Sequence, residues 1–294
     1  MGIATKRIET RKNAPMTVSF WGVRGGIASP GEHTVRFGGN TACIEVRAGP
    51  HTFVIDSGTG ARELGRELMA RTPVRVHLLF TDYRWDHLQG FPFFTPVYIA
   101  SSEIHIHGPR FGERGVREML ADQMKFPVFP IQMEHLRAQF SFDTLEDGGS
   151  FSVDGVKVTT FGSEPGPAAA PGSQRNALSG SLGYRIDDGT RAVVVLPDGL
   201  AGSKDPRLAD FCRKASVIVM NSSVPGSLNG ERSEATRNLW DFAIALARDA
   251  RAKRLVLFHH APDESDHALF ALERRARARF SGVHAAYEGL KLAL

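Results

Sequence analysis

Runs of apolar residues predict that the first half of the chain is rich in strands. Strand-like segments lie at 17–23, 42–48, 51–57, 74–81 and 103–108. The Ala-Gly-Pro stretch at 48–50 predicts a hairpin turn between the second and third of them. Two further segments, 58–71 and 112–125, have helical spacing, and in the first Leu64, Leu68 and Met69 share one face. A sheet with interleaved helices is therefore expected.

The second half of the chain repeats this arrangement. Strand-like segments lie at 151–161, 181–199, 216–222 and 254–260, and the first two contain the Asp-Gly pair typical of short hairpins. Helices are predicted at 206–215, 233–250 and 264–280, and Ser233 is placed to cap the second of these. Residues 163–176 are small, polar and rich in Pro and Gly, which predicts a mobile surface loop. The order of elements indicates two packed sheets with helices outside.

Composition narrows the class of protein. The 294 residues carry a dispersed net charge of +4, without a zinc finger or a dense basic run, which argues against a dedicated nucleic-acid binder. Residues 1–16 are polar and basic and are expected to form a flexible tail, and 17–294 a single domain. The sequence shows neither a secretory signal nor an apolar run that could span a membrane. Two distant cysteines, Cys43 and Cys212, suggest a reducing compartment, so a cytoplasmic location is expected.

Acidic and imidazole groups follow four of the predicted strands. They are Asp56, the pair Asp86-His87, Asp198, and the pair His259-His260. Taken singly, an aspartate after a strand is usually a turn or helix cap, and a histidine there is usually structural. Taken together, two imidazoles and two carboxylates suit zinc, iron or manganese. The set with that composition is Asp86, His87, Asp198 and His259.

The order and the amino-acid sequences of these segments resemble those of the metallo-β-lactamase fold superfamily. Within it, they resemble the phosphodiesterase-like hydrolases with a Trp-Gly-Val-Arg-Gly segment near the N-terminus. The resemblance lies in WGVRGGIASPGEHTVRFGGNTACIEV (21–46), FVIDSGTGARELG (53–65), LLFTDYRWDHLQGFPFF (78–94), SLGYRI (181–186) and LVLFHHAPDESD (255–266). It implies an α/β fold, a four-layered αββα sandwich, and a site for two metal ions. The segment 78–94 lies where that family has its His-x-His-x-Asp-His signature.

The chain departs from this signature at the ligands of the first metal ion. Asp82 and Arg84 stand where the resemblance implies two histidines, and the third histidine position falls on Ala177 or, with another placement, on Glu164. Arginine has no lone pair with which to bind a cation, so Arg84 is expected to pair with Asp82 or with Asp198. The implied ligands of the second ion are all present: Asp86, His87, Asp198 and His259, with His260 as a fallback. Two outer positions also differ, at Asn221 and Arg232.

Three functional hypotheses follow from the loss of ligands for the first metal ion while the ligands for the second are kept. In the first, the protein is a pseudo-hydrolase that keeps the fold and acts by binding or regulation, with an unknown protein or a small anionic ligand as its partner. In the second, it is a mononuclear hydrolase in which one divalent ion, Asp86 and Asp198 carry out catalysis while Arg84 and Arg232 hold an anionic substrate. In the third, the polar residues are only structural.

His105 and His107 share a strand face, and a structural role is the favoured interpretation for them.

Overall fold

The computed structural model describes residues 15–162, 180–221 and 234–294. Within these ranges, seven strands form a first sheet in the order β14-β1-β2-β3-β4-β5-β6. Their bounds are β1 Thr17–Gly22, β2 Cys43–Ala48, β3 His51–Ile55, β4 Arg75–Leu79, β5 Glu103–Pro109, β6 Gln139–Leu145 and β14 Lys291–Ala293. β2 and β3 form the predicted hairpin, whereas β3, β4, β5 and β6 run parallel.

A second sheet has the order β13-β12-β11-β10-β9-β8-β7. Its strands are β7 Ser150–Val153, β8 Val156–Gly162, β9 Leu182–Asp187, β10 Ala192–Leu196, β11 Val217–Asn221, β12 Leu255–Phe258 and β13 Val283–Ala285. Both predicted Asp-Gly hairpins are present, as β7–β8 and β9–β10. β10, β11, β12 and β13 are parallel, so their carboxyl ends meet at one edge of the sheet.

Helices cover the outer faces of both sheets. They are α1 Ala61–Met69, α2 Trp85–Leu88, α3 Val116–Gln123, α4 Arg207–Phe211, α5 Glu234–Asp249 and α6 Asp266–Arg279. One apolar cluster lies between the sheets, and two others join each sheet to its helices. These three apolar layers separate four layers of secondary structure, so the predicted αββα sandwich is confirmed. None of the described helices has the length and apolar content needed to cross a membrane.

Some expectations fall on residues outside the described ranges. These are the tail up to residue 14, the whole segment 163–176, and the N-cap residue Ser233. Among the strands and α-helices of the described residues, four were not anticipated from the sequence: β6, β13, β14 and the short helix α2. Two of them, β13 and β14, have three residues each and depend on pairing with distant strands, which local patterning does not reveal.

Histidines replace apolar residues at one end of the layer between the sheets. On the inner face of the first sheet, the rings of Phe53, His77 and His105 stack across β3, β4 and β5, with centroids 5.2 and 4.7 Å apart. Nδ1 of His77 lies 3.2 Å from Nε2 of His107, and the His107 ring stacks on Phe151 of the other sheet. The structure thus places His105 and His107 in a ladder of stacked rings, away from the strand ends that carry the aspartates.

This imidazole ladder is expected to make the protein sensitive to acid. Burial, aided by the neighbouring imidazoles, lowers the pKa of His77 to about 3 and that of His107 to about 4, against 6.5 in the unfolded chain. Below pH 6.5 the unfolded chain therefore takes up protons that the folded chain does not, so the free energy of unfolding falls as the pH falls. Between about pH 7.5 and about pH 5.5 the two groups together should lower the free energy of unfolding by about 2 kcal/mol.

Urea unfolding at the two pH values measures this effect. His77→Phe should flatten the pH dependence, since it keeps a ring beside Phe53 and removes the titrating group. An equal loss of stability in His77→Phe and in the wild type would contradict the assignment.

Candidate functional site

The sequence-predicted site residues come together where the strands of both sheets end. Asp56 follows β3, and the segment Asp82–His87 follows its parallel neighbour β4. Asp198 follows β10 of the second sheet, and His259 follows β12. Asp56 and His259 have φ values of 58° and 59°, a left-handed conformation that is costly for non-glycine residues and is often found at functional sites. We call the group comprising Asp56, Asp82, Arg84, Asp86, His87, Asp198 and His259 the ion cluster.

Three members of the ion cluster have the geometry of metal ligands. Oδ2 of Asp86 lies 2.7 Å from Nε2 of His259, and the Nε2 atoms of His87 and His259 are 3.0 Å apart. All three side chains are buried, and their ligand atoms lie within 4.8 Å of one another. Two imidazole nitrogens and a carboxylate oxygen converging in this way fit a zinc-like divalent ion.

Arg84 lies against the same atoms. Its Nη1 forms an ion pair with Asp198, and its Nε lies 3.3 Å from Oδ2 of Asp82. Both of the pairings expected from the sequence therefore occur at once. Nη2 of Arg84 lies 2.9 Å from Nε2 of His87 and 3.4 Å from Nε2 of His259. The guanidinium thus engages Asp198, the fourth implied metal ligand, and approaches the imidazole nitrogens that a metal ion would need.

The backbone at Arg84 explains why this residue reaches the centre of the site. Arg84 is extended, with φ −66° and ψ 151°, and it immediately precedes α2. Side chains two residues apart on an extended chain point to the same side, so Asp82 and Arg84 face the ion cluster together. The first turn of α2 then supplies Asp86 and His87. The change from extended to helical backbone after Arg84 thus brings all four of these polar side chains to the ion cluster.

Charges within the ion cluster shift the proton affinities of its members. Burial alone would lower the pKa of His87, but the carboxylates of Asp82, Asp56 and Asp86 overcome it and raise the pKa to about 10. Burial would raise the pKa of Asp82, but His87 and Arg84 hold it well below its usual value. Burial also raises the pKa of Asp56, to about 6. The cluster contains four buried carboxylates, so without the guanidinium it would carry a large uncompensated negative charge.

Hydrogen bonds from the surrounding chain fix the orientation of the ligands. Nδ1 of His87 lies 2.8 Å from Oδ1 of Asp82. Asp56 accepts hydrogen bonds from the backbone N–H and from the hydroxyl of Thr81, both at 2.8 Å. Holding Nδ1 in this way directs Nε2 of His87 toward Asp86 and His259, which is how partners of a metal-binding histidine usually act.

The Arg-Gly-Gly stretch at 24–26 holds the two halves of the ion cluster together, a role that sequence reasoning did not assign to it. Arg24 is fully buried, and its Nη1 donates to the carbonyls of Ala261 and Glu264, just after His259. The backbone N–H of Gly26 donates to Oδ2 of Asp86 at 2.8 Å. A Cβ atom at Gly25 would overlap the ring of His259. The signal in the sequence was the glycine pair beside an arginine, which marks a close approach of backbone to another group.

Other predicted site residues have different positions or cannot be placed. His260 is fully buried and its Nε2 lies 2.8 Å from the carbonyl oxygen of Ala286, so His259 is the histidine that joins the ion cluster. Asn221 is buried at the end of β11, and its Nδ2 has no hydrogen-bond partner among the described residues. Glu164, Ala177 and Arg232 lie outside the described ranges.

A small cleft opens beside the ion cluster. It has a volume of about 170 Å³ and is lined by Asp82, Tyr83, Arg84, Pro109, Arg110, Phe111, Met119 and Gly180. The hydroxyl of Tyr83 donates to the carbonyl of Pro109 and so ties this wall to β5. Arg110 is half exposed and Phe111 is exposed, so the outer wall offers a cation and an apolar ring to a ligand.

Comparisons with known proteins agree with this architecture. Residues 51–260 match the family model described as the beta-lactamase superfamily domain. Over 151 residues the chain is 26% identical to the mouse protein "Zinc phosphodiesterase ELAC protein 1", a match that covers 48% of this chain and 41% of that protein. The chain therefore spans less than half the length of this curated relative.

Solved structures of several proteins share the fold. The metallo-beta-lactamase fold protein YhfI from Bacillus subtilis superposes with a TM-score of 0.65 and 17% identity, over 96% of this chain and 100% of that one. A diphosphatase from the PhnP family superposes with a TM-score of 0.63 and 14% identity, over 95% of this chain and 98% of that one. The short form of human tRNase Z superposes with a TM-score of 0.58 and 17% identity, over 94% of this chain and 98% of that one. At these identities the likeness shows the fold alone.

Proposed function

Because the chain belongs to the beta-lactamase superfamily, we propose that it is a pseudo-hydrolase of this superfamily, one that has lost two-metal hydrolysis and acts by binding. One observation carries this proposal: the guanidinium of Arg84 is paired with Asp198 and approaches His87 and His259. The position that a metal ion would share with these side chains is thus faced by a permanent cation that belongs to the chain itself.

The chemistry of a guanidinium supports this proposal. Two-metal hydrolysis depends on ions that bind and ionise a water molecule and then stabilise the oxygens of the reacting group. Arg84 supplies positive charge but has no lone pair and no vacant coordination position, so it cannot ionise a water molecule in this way. Loss of a few kcal/mol of transition-state stabilisation reduces a rate by about a thousandfold. The ion cluster then has a structural task, which is to keep the cleft in shape.

The cleft beside Arg84 is the proposed binding site. The nitrogens of the Arg84 side chain face Asp82, Asp198, His87 and His259, so an anionic ligand gains a contact with Arg84 only by displacing one of these partners. Arg110 is better placed for first contact, since its only ion pair among the described residues is a 3.7 Å approach to the exposed Glu146. Arg232 remains a predicted contact outside the described ranges. A small ligand with an anionic group and an apolar part fits this wall.

Metal analysis combined with an activity assay tests the proposal. Protein purified without a chelator is expected to contain no stoichiometric zinc, iron or manganese and to leave bis(4-nitrophenyl) phosphate unhydrolysed. The matched comparison is His87→Ala. One tightly bound ion in the wild type, together with phosphodiester turnover that His87→Ala abolishes, would overturn the proposal.

A mononuclear hydrolase is the second candidate, and the convergence of Asp86, His87 and His259 favours it. These residues would hold one divalent ion, which would supply Lewis-acid chemistry and an activated water. Asp82 would keep His87 oriented by its contact with Nδ1, and Asp56 would support it by holding the hydroxyl of Thr81. Arg84 would neutralise the charge of Asp198. This candidate requires one ion per chain and phosphodiester hydrolysis that is lost on chelation and restored by zinc or manganese.

A further inference from the structure

A second cavity lies at the end of the sandwich opposite to the ion cluster. It is lined by residues at the amino ends of β3 and β4, including His51, Arg75 and His77, whereas Asp56 and Asp82 follow the carboxyl ends of the same parallel strands. Its volume is about 640 Å³, within the range of small-molecule sites. We call it the basal cavity.

The side chains at the floor of the basal cavity do not suit a purely structural core. Strand alternation points His77 and His105 into the layer between the sheets, where Phe53, Ile55 and Leu79 occupy the neighbouring inner positions. Burying an imidazole costs more free energy than burying an apolar ring. Residues that break the local pattern without an evident structural gain often belong to functional sites. The ladder of imidazoles is such a departure.

Each of the two floor histidines has a second ring nitrogen besides the one that contacts its neighbour. His77 uses Nδ1 to contact His107, and His105 uses Nδ1 to contact the hydroxyl of Ser141 at 2.8 Å. Each ring has a second nitrogen, Nε2, and both residues line the cavity. Burial lowers the pKa of His77 to about 3, so at neutral pH this ring acts as a neutral hydrogen-bonding group. The third histidine of the lining, His51, has its buried Nε2 3.2 Å from Asp154, without a hydrogen bond.

Arginines provide the positive charge at the rim. Arg47, Arg71 and Arg75 line the cavity, and Asp154 is the carboxylate among the lining residues. Each arginine has an acidic neighbour: Arg47 pairs with buried Glu45, Arg71 lies 3.7 Å from Glu67, and Arg75 lies 3.0 Å from Glu103. The last two pairs are largely exposed, and exposed ion pairs contribute little stability. An incoming oxyanion can therefore replace Glu67 or Glu103 at small cost.

We propose that the basal cavity binds a small organic oxyanion, a phosphate or carboxylate carried on an apolar body. The oxyanion would pair with Arg71 and Arg75 at the rim. The apolar body would contact Leu68, Val74 and Val153 on the walls, and its polar edge would meet His77 and His105. This site is separate from the cleft beside Arg84 and does not depend on whether the ion cluster binds metal.

Calorimetric titration of the full chain with phenyl phosphate tests this proposal, with inorganic phosphate and phenol as partial ligands. We expect phenyl phosphate to bind more tightly than either fragment. His77→Phe keeps a ring beside Phe53 but removes the ring nitrogens, and Arg75→Gln removes a rim charge. Each should weaken the binding of phenyl phosphate by about tenfold or more.

Arg110→Gln is the matched control, since it changes an arginine of the other cleft and should leave the affinity within about twofold. Absence of binding at about 10 mM phenyl phosphate would overturn the proposal, as would an affinity that His77→Phe and Arg75→Gln do not change. Binding lost in Arg110→Gln but kept in His77→Phe would also overturn it, and would assign the ligand to the cleft of the proposed function.

Discussion

Arg84→Ala is expected to increase the affinity of the protein for zinc by about tenfold or more and to destabilise the metal-free protein by about 3 kcal/mol. Both effects have one cause, which is the position of the guanidinium. It pairs with Asp198 and lies within hydrogen-bonding distance of Nε2 of His87. Removing it frees Asp198 and the imidazole nitrogens as ligands, and leaves buried carboxylates without their fixed counter-ion.

The size of the destabilisation follows from burial. Asp82 and Asp198 are buried, and deleting one partner of a buried ion pair usually costs several kcal/mol because the other charge stays uncompensated. Zinc should recover most of the lost stability, since an ion that binds only the folded state stabilises it in proportion to the logarithm of its concentration. Wild-type protein should gain much less from zinc.

Urea unfolding with EDTA or with zinc, together with calorimetric zinc titration, measures both effects. Arg110→Ala is the control, because it removes a half-exposed arginine of the same cleft and should change neither stability nor zinc affinity appreciably. If Arg84→Ala bound zinc no better than the wild type, the guanidinium would not be competing with the ion. The proposal that Arg84 replaces a metal ion would then fail.

The two-sheet sandwich could be anticipated because its evidence is local. Runs of apolar residues mark the strands, and the turn at 48–50 and two Asp-Gly pairs mark hairpins that the structure contains. By contrast, β14 pairs with β1 across almost the whole chain, and α2 has only four residues. Their formation depends on tertiary contacts that no short window of sequence contains.

The membership of the ion cluster could be anticipated from strand ends, but its internal pairing could not. From the sequence, Arg84 had two possible partners, Asp82 and Asp198, and in the structure one guanidinium reaches both. The choice between His259 and His260 was settled by the left-handed backbone at His259, which turns its side chain toward Asp86. The role of Arg24 could not be anticipated because the two carbonyl groups that it contacts beside His259 are more than two hundred residues away along the chain.

The double variant Asp82→His/Arg84→His is expected to bind two zinc ions per chain and to hydrolyse bis(4-nitrophenyl) phosphate about a hundredfold faster than the wild type. The two positions face the ion cluster together, as their 3.3 Å contact shows. Imidazoles there would add two nitrogen ligands, and the loss of the guanidinium would release Asp198 to lie between two ions. Either single variant should raise the rate of hydrolysis much less than the double variant. In Asp82→His, for example, Arg84 still pairs with Asp198.

Metal analysis and initial rates across the wild type, both single variants and the double variant test this non-additivity. Asp82→His removes the acceptor of Nδ1 of His87, so unfolding must be monitored to confirm that each variant is folded at the assay temperature. Two bound ions with no increase in turnover would show that Asp82 and Arg84 are not the changes that stopped hydrolysis. The position that the family resemblance assigns to Ala177 would then be the next to restore. Equal rates for the double variant and for Arg84→His would show instead that removing the guanidinium from Asp198 suffices and that the imidazole at position 82 contributes nothing.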